Sequence, residues 1–204
     1  MPRFDLAIDV GHNVDNDRGA VYKDIREDEI VLAVGEELKN ICKANDIGVI
    51  WCLPDKASST GDSLRRRVAK SNQEKANIYC SLHANRYEPT EEAMGIEVFA
   101  LSAPGRAVGE RIANRLVSLG FKRRPLKSLL PSGYPPYVVA NTQAVAVLIE
   151  LFFIDSEEDV RLYQKLGAKK IAAEIFKAIA EPQNPQAADP DRADGSQLQS
   201  SQKV

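Results

Sequence analysis

Apolar residues concentrate in five short runs, Phe4–Val10, Gly48–Leu53, Asn77–His83, Gly95–Leu101 and Ala144–Leu151, most of them nearly continuous. A continuous run predicts a strand covered on both faces, because a strand with one wet face alternates instead. Between the runs, apolar positions recur at helical spacing over about Asp28–Asn45, Ser63–Ala76, Pro104–Leu119 and Ser156–Ile179. The alternating order predicts an α/β fold in a single domain, a twisted, mainly parallel sheet with helices on both faces. Cap residues mark three helix starts: Asp62–Ser63, Ser102 ahead of Pro104, and Ser156 followed by Glu157 and Glu158. From Pro182 onward there is no aromatic residue and no apolar period. Residues 1–181 are therefore expected to form the folded domain, and 182–204 a disordered tail.

Composition narrows the partners. The 204 residues carry 27 basic and 29 acidic side chains, a net charge of −2. The basic clusters Arg65–Arg67 and Lys122–Arg124 are too short to make a polyanion footprint, so nucleic acid is not an expected partner. No run reaches the 18 or so apolar residues of a membrane span. The start, Met-Pro-Arg-Phe-Asp, meets charge too early for a signal peptide, so synthesis in the cytoplasm without a signal is expected. A chain of this length buries roughly 70% of its unfolded surface, enough to fold without a structural metal or disulfides. Cys42, Cys52 and Cys80 are an odd number without CxxC spacing, and each is expected to be a reduced core residue.

Candidate chemistry begins with the only two histidines, His12 and His83, each at or just beyond the carboxyl end of a predicted strand. Open α/β sheets place their ligand sites at that edge. An acidic companion is offered by Glu27, Asp28 and Glu29 at the amino end of the first predicted helix. At 100° per residue, Glu27 lies within about 60° of the stripe Ile30, Val31, Val34, Leu38 and Ile41, while Glu29 points about 160° away. Glu27 thus faces the sheet and Glu29 faces water. A fourth group, Glu150, interrupts the run Ala-Val-Ala-Val-Leu-Ile-Glu-Leu-Phe-Phe, where a carboxylate needs either an ion-pair partner, such as Arg67 or Lys127, or a function. Two neutral imidazoles and one carboxylate would leave Zn²⁺ with a charge of +1 and an open position, the pattern of a hydrolytic site. Glu150 would then serve as general base and acid.

These residues occur in an ordered series of motifs: Ala-Ile-Asp-Val-Gly-His12, Gly19-Ala20, Glu27, Ser63-Leu64-x-x-Arg67, Ser81-Leu82-His83-Ala84-Asn85, Gly95-Ile96-Glu97-Val98-Phe99 and Val147-Leu148-Ile149-Glu150-x-x-Phe153-Ile154. In this series the chain resembles the catalytic domain of zinc-dependent N-acetylmuramoyl-L-alanine amidases of the amidase family 3 type. The resemblance implies that His12, Glu27 and His83 hold Zn²⁺ and that Glu150 is the catalytic glutamate. The implied substrate is peptidoglycan or a muropeptide, cut between N-acetylmuramic acid and the L-alanine of the stem peptide, after release or export to the cell wall. It leaves Arg67 a packing role and Asn85 a place behind the ligands. Asn13, Leu53-Pro54 and Phe152 depart from the family pattern, which bears on the shape of the groove. The alternative is a non-catalytic amidase-like domain that binds wall precursors or a partner protein and regulates wall synthesis.

Overall fold

The computed structural model describes residues 4–15, 17–87 and 94–181. In chain order its elements are β1 (Asp5–Val10), β2 (Val21–Tyr22), β3 (Ile25–Arg26), α1 (Glu27–Ala44), β4 (Gly48–Trp51), α2 (Thr60–Gln73), β5 (Ile78–Asn85), β6 (Glu97–Phe99), α3 (Ala103–Ser118), α4 (Tyr137–Asn141), β7 (Val145–Phe153) and α5 (Glu157–Ala180). The five apolar runs become one five-stranded sheet in the order β4-β1-β5-β7-β6, while β2 and β3 form a separate small hairpin. All neighbours are parallel except β6, which runs antiparallel to β7. The segment expected to be a disordered tail, 182–204, lies outside the described residues.

Continuous apolar runs are explained by the two layers they feed. Alternate residues of a strand face opposite sides. Leu6, Ile8, Val10, Cys80, Leu82, Ile149 and Leu151 pack with α1, α3 and α5 on one face. Ala7, Ile50, Tyr79 and Leu148 pack with Val68 of α2 and Val138 and Val139 of α4 on the other. Each large side chain buried here contributes roughly 1.5–3 kcal/mol. The three cysteines are buried and unpaired with one another. Among the described residues, no helix is long and apolar enough to cross a membrane.

Four local differences from the sequence expectation have physical causes. Helix α2 opens at Ser59, whose hydroxyl accepts from the Asp62 amide at 3.1 Å, so Asp62–Ser63 lies inside the first turn. Asp62 turns back to accept from the Ser58 amide at 3.0 Å. Helix α5 is broken at Gly167, where φ 74° and ψ 160° are open to glycine. The short helix α4 and the β2–β3 hairpin offered too few residues for a period to show. Strand β6 is shorter than its apolar run because Gly95 turns at φ 93°, and an added Cβ there would stand 2.2 Å from the Lys122 carbonyl. The chain after α3 lies along that edge, through bridges Ile96 to Arg123 and Phe99 to Lys127.

Candidate active site

The carboxyl ends of β1, β5 and β7 meet at one edge of the sheet, and the histidines and Glu150 arrive there with them. His12 lies two residues past β1, His83 lies in β5, and Glu27 is the first residue of α1. One donor atom from each of His12, Glu27 and His83 falls within a mutual separation of 4.8 Å. Nε2 of His12 is 3.2 Å from Glu27 Oε2, and Nδ1 of His83 is 2.9 Å from Glu27 Oε1. The rings meet edge to face with centroids 5.2 Å apart. Glu27 is 4% exposed and also accepts from the Ala20 amide at 2.8 Å and the Ala84 amide at 3.1 Å. Asp28 is buried as well but pairs with Arg26, and exposed Glu29 pairs with Arg26 too.

The backbone is shaped to admit these side chains. His12 and Asn13 take left-handed φ angles of 57° and 62°. Asn13 donates to Gly11 O at 2.9 Å and Asp28 O at 3.0 Å. An Asn side chain tolerates this region better than most because it can bond locally. At Gly11 an added Cβ would stand 2.3 Å from His83, and at Gly19 it would stand 2.5 Å from both Glu27 and His12.

Charge coupling runs through the cluster. Burial works to raise the Glu27 carboxyl pKa, yet the two imidazoles hold it well below the usual carboxylate range. Burial favours a neutral His12, but its bonds to Glu27 and Asp17 outweigh this and raise it to about 9. His83 is likewise raised, because Glu27 and Glu150 outweigh its burial. Such a set of mutually paired donors, two imidazoles sharing one buried carboxylate, could hold a metal ion once the rings lose their protons.

Glu150 stands beside this group. It is the register partner of His83 on one side and of Glu97 on the other. Among the described residues its buried Oε2 has no hydrogen-bond partner. Burial pushes its carboxyl up to about 7, with Glu27 and Glu97 reinforcing the rise against the pull of His83. The two cations considered as ion-pair partners are engaged elsewhere. Arg67 pairs with Asp9 at 2.5 Å, and Lys127 pairs with Glu97 at 2.8 Å. Asn85 donates to Glu97 at 3.3 Å and to neither histidine.

Three acids with a part in the site carried no assigned role in the sequence. Asp17 accepts from His12 Nδ1 at 2.8 Å, which turns Nε2 toward Glu27. Asp9 anchors Arg67 and accepts from Ser81 at 2.7 Å. Glu97 is 4% exposed and holds Arg124 and Lys127. Asp9 and Glu97 interrupt apolar runs as Glu150 does, so the same signal was present for them. Asp17 lies in a polar loop and gave none. Arg67 does more than pack: beyond Asp9 it donates to the carbonyls of Val10 and His12 and to Ser63.

Known proteins share this architecture. The catalytic domain of an endolysin targeting Clostridia Difficile superposes with a TM-score of 0.75 at 23% identity, over 87% of this chain and 97% of that one. The catalytic domain of CwlV, an N-acetylmuramoyl-L-alanine amidase of Bacillus (Paenibacillus) polymyxa, gives 0.73 at 22% identity, over 87% and 97%. In sequence, an endolysin of Bacillus phage SPP1 is 29% identical over 167 residues, 78% of this chain and 58% of the phage protein. The amidase LytC of Bacillus subtilis is 27% identical over 84% of this chain, which spans only 34% of LytC. The uncharacterized protein YqiI of Bacillus subtilis is 30% identical over 84% of this chain and 79% of its own length. A family profile covers residues 6–181, nearly all that the structure describes, and by that match the chain belongs to the N-acetylmuramoyl-L-alanine amidase family.

Proposed function

We propose that this chain is a zinc-dependent hydrolase acting on peptidoglycan or muropeptides at the cell wall. The bond cut is the amide between the lactyl group of N-acetylmuramic acid and the L-alanine of the stem peptide. The observation that carries this reading is the juxtaposition of His12, Glu27 and His83 with a buried Glu150 whose Oε2 lacks a partner among the described residues. His12, Glu27 and His83 would hold the zinc. Bound there, it would polarise the scissile carbonyl and make a water molecule acidic enough to ionise near neutral pH.

The chain's own groups supply the proton traffic. Glu150, raised to about 7 by its burial, is poised between its two protonation states near neutral pH. It takes a proton from the water that attacks the amide carbonyl. It then delivers that proton to the departing alanine nitrogen, which leaves as an amine, and the lactyl carboxylic acid formed gives up its remaining proton to that amine or to solvent. Asp17 orients His12, and the amides of Ala20 and Ala84 orient Glu27.

Replacing Glu150 by Gln tests the assignment, because it keeps the shape and removes the proton acceptor. The rate of stem-peptide release should fall about 10²–10⁴-fold while zinc content and melting temperature stay close to wild type. Folded, zinc-loaded Glu150→Gln that works at the wild-type rate would refute it. A wild-type protein that takes up zinc and binds muropeptides without releasing any peptide would favour the non-catalytic alternative.

A further inference from the structure

We infer that Arg124 and Lys127 form a subsite for a free carboxylate of the stem peptide, two or three residues beyond the scissile amide, and so set which stem peptides are preferred. The inference rests on the amidase reading above.

Two cations converge on one oxygen. Arg124 Nε donates to Glu97 Oε1 at 2.5 Å and Lys127 Nζ donates to the same atom at 2.8 Å. One cation is enough to neutralise a buried carboxylate, so the second leaves the cluster with a charge of +1. Arg124 uses only Nε in hydrogen bonds among the described residues, which leaves the two outer nitrogens of its fork to offer. That fork is suited to bidentate capture of a carboxylate. Its guanidinium lies 5.1 Å from the centre of the Phe153 ring, within cation–π range. The side chains are 32% and 35% exposed, so both cations reach the surface while Glu97 stays buried. Neighbouring Arg123 is different, since it is spent on Glu110 and Asn114.

The cluster is also at the right distance. His83, Glu150 and Glu97 are register partners on three adjacent strands, β5, β7 and β6. Strands are spaced about 4.8 Å apart, so Glu97 stands about 10 Å across the sheet from His83. An extended peptide advances about 3.3–3.6 Å per residue, which puts carboxylates of its second and third residues about 7–11 Å past the cut. On the opposite side of the metal-ligand group the surface has the reverse character. A pocket of about 260 Å³ there is lined by Asp15, Asp17, Ser58, Ser59 and Thr60, whose two acids disfavour an anion and whose carboxylates and hydroxyls together suit neutral sugar hydroxyls. The substrate therefore runs across the strand ends with its glycan over the start of α2 and its peptide over β7 and β6.

Two synthetic muramyl peptides test this, one with free carboxylates at the second and third residues and one with carboxamides in both places. Wild type should show kcat/KM about tenfold higher on the carboxylate substrate. Arg124→Gln and Lys127→Gln each leave Glu97 one cation, so each should fold, as a melting curve checks. Each should lose several-fold more on the carboxylate substrate than on the carboxamide, mostly through KM, and Lys127→Arg should restore the preference. Equal losses on both substrates would assign the pair a purely structural role and overturn the inference. So would a wild type that cuts both substrates equally well, with the amidase reading intact. A wild type that cuts neither would overturn the amidase reading and this inference with it.

Discussion

Arg67→Met is the perturbation through which the buried scaffold of the site can be weighed. Arg67 is 2% exposed and Asp9 1%. The guanidinium donates to Asp9 and His12 O at 2.5 Å each, to Ser63 at 3.1 Å, and also to Val10 O. Methionine fills much of the volume but leaves the Asp9 carboxylate with Ser81 alone and strips two carbonyls of their donor. Removing one partner of a buried pair costs about 3–5 kcal/mol, a large share of the roughly 5–15 kcal/mol that holds a domain together. A second effect follows from the backbone. The left-handed conformation at His12 costs about 1–2 kcal/mol, and the bond from Arg67 to His12 O is one of those that maintain it. Zinc affinity should therefore fall about 10–100-fold in the molecules that remain folded. Urea unfolding and zinc competition with a chromophoric chelator, on the same preparation, measure the two effects. The double variant Asp9→Asn/Arg67→Met should be less damaged than the sum of the singles by at least about 1 kcal/mol. A loss below about 1 kcal/mol together with wild-type zinc affinity would refute the reasoning.

Metal-free protein at pH 7 should carry a protonated His12, since Glu27 and Asp17 raise it to about 9 against the effect of burial. Zinc uptake at pH 7 should then release at least about one proton, and apparent affinity should rise as pH climbs toward that value; titration in buffers of different ionisation enthalpy reads this, and a proton count of zero contradicts it. Gly19→Ala should weaken zinc binding about tenfold or more, because the new Cβ collides with Glu27 and His12 at 2.5 Å and the φ of 64° is strained for alanine; unchanged affinity by the same competition assay would show that the loop yields. Asp9 is also an acid-stability group: burial alone would raise its carboxyl, but Arg67 holds it below the usual value. Its contribution is complete above the unfolded pKa of about 3.9 and is lost as pH falls through the lower folded one. Asp9→Asn should accordingly be less stable at neutral pH yet show a flatter decline below about pH 4, and parallel acid curves for both proteins would count against the pairing.

What the chain disclosed about itself depended on where the physics is local. Burial on both faces writes itself into every residue of a strand, so all five sheet strands were legible as apolar runs. Helical angle separated Glu27 from Glu29 because α1 lies against the sheet for its whole length, with Ile30, Val31, Val34 and Leu38 buried. Strand order was not legible in the same way. That β6 runs antiparallel, and that the residues after α3 lie along its outer edge, with Gly95 leaving room for the Lys122 carbonyl, rests on long-range contacts. No period in either segment announces those contacts. The two-residue strands β2 and β3 are below the length at which alternation means anything.

The same contrast explains which parts of the site were visible. A carboxylate inside an apolar run is a conflict between local composition and burial, and such conflicts concentrate at functional sites. Glu150, Asp9 and Glu97 all show that conflict, and the fold resolves it in three different ways. Asp9 is neutralised by Arg67, Glu97 by Arg124 and Lys127, and Glu150 by no cation among the described residues. Sequence identifies the three candidates as equivalent; only the pairing tells them apart. In the reading proposed above, it is the lack of such a pairing that would let Glu150 exchange a proton near neutral pH, because a carboxylate held by arginine has its pKa lowered, as Asp9 does. Glu97, the register partner of Glu150, engages Arg124 and Lys127, two cations that would otherwise stand unpaired beside that strand. Replacement of Glu97 should therefore change the pH dependence of the reaction as well as the stability of the fold, which measuring the rate profile of Glu97→Gln alongside its melting temperature would separate.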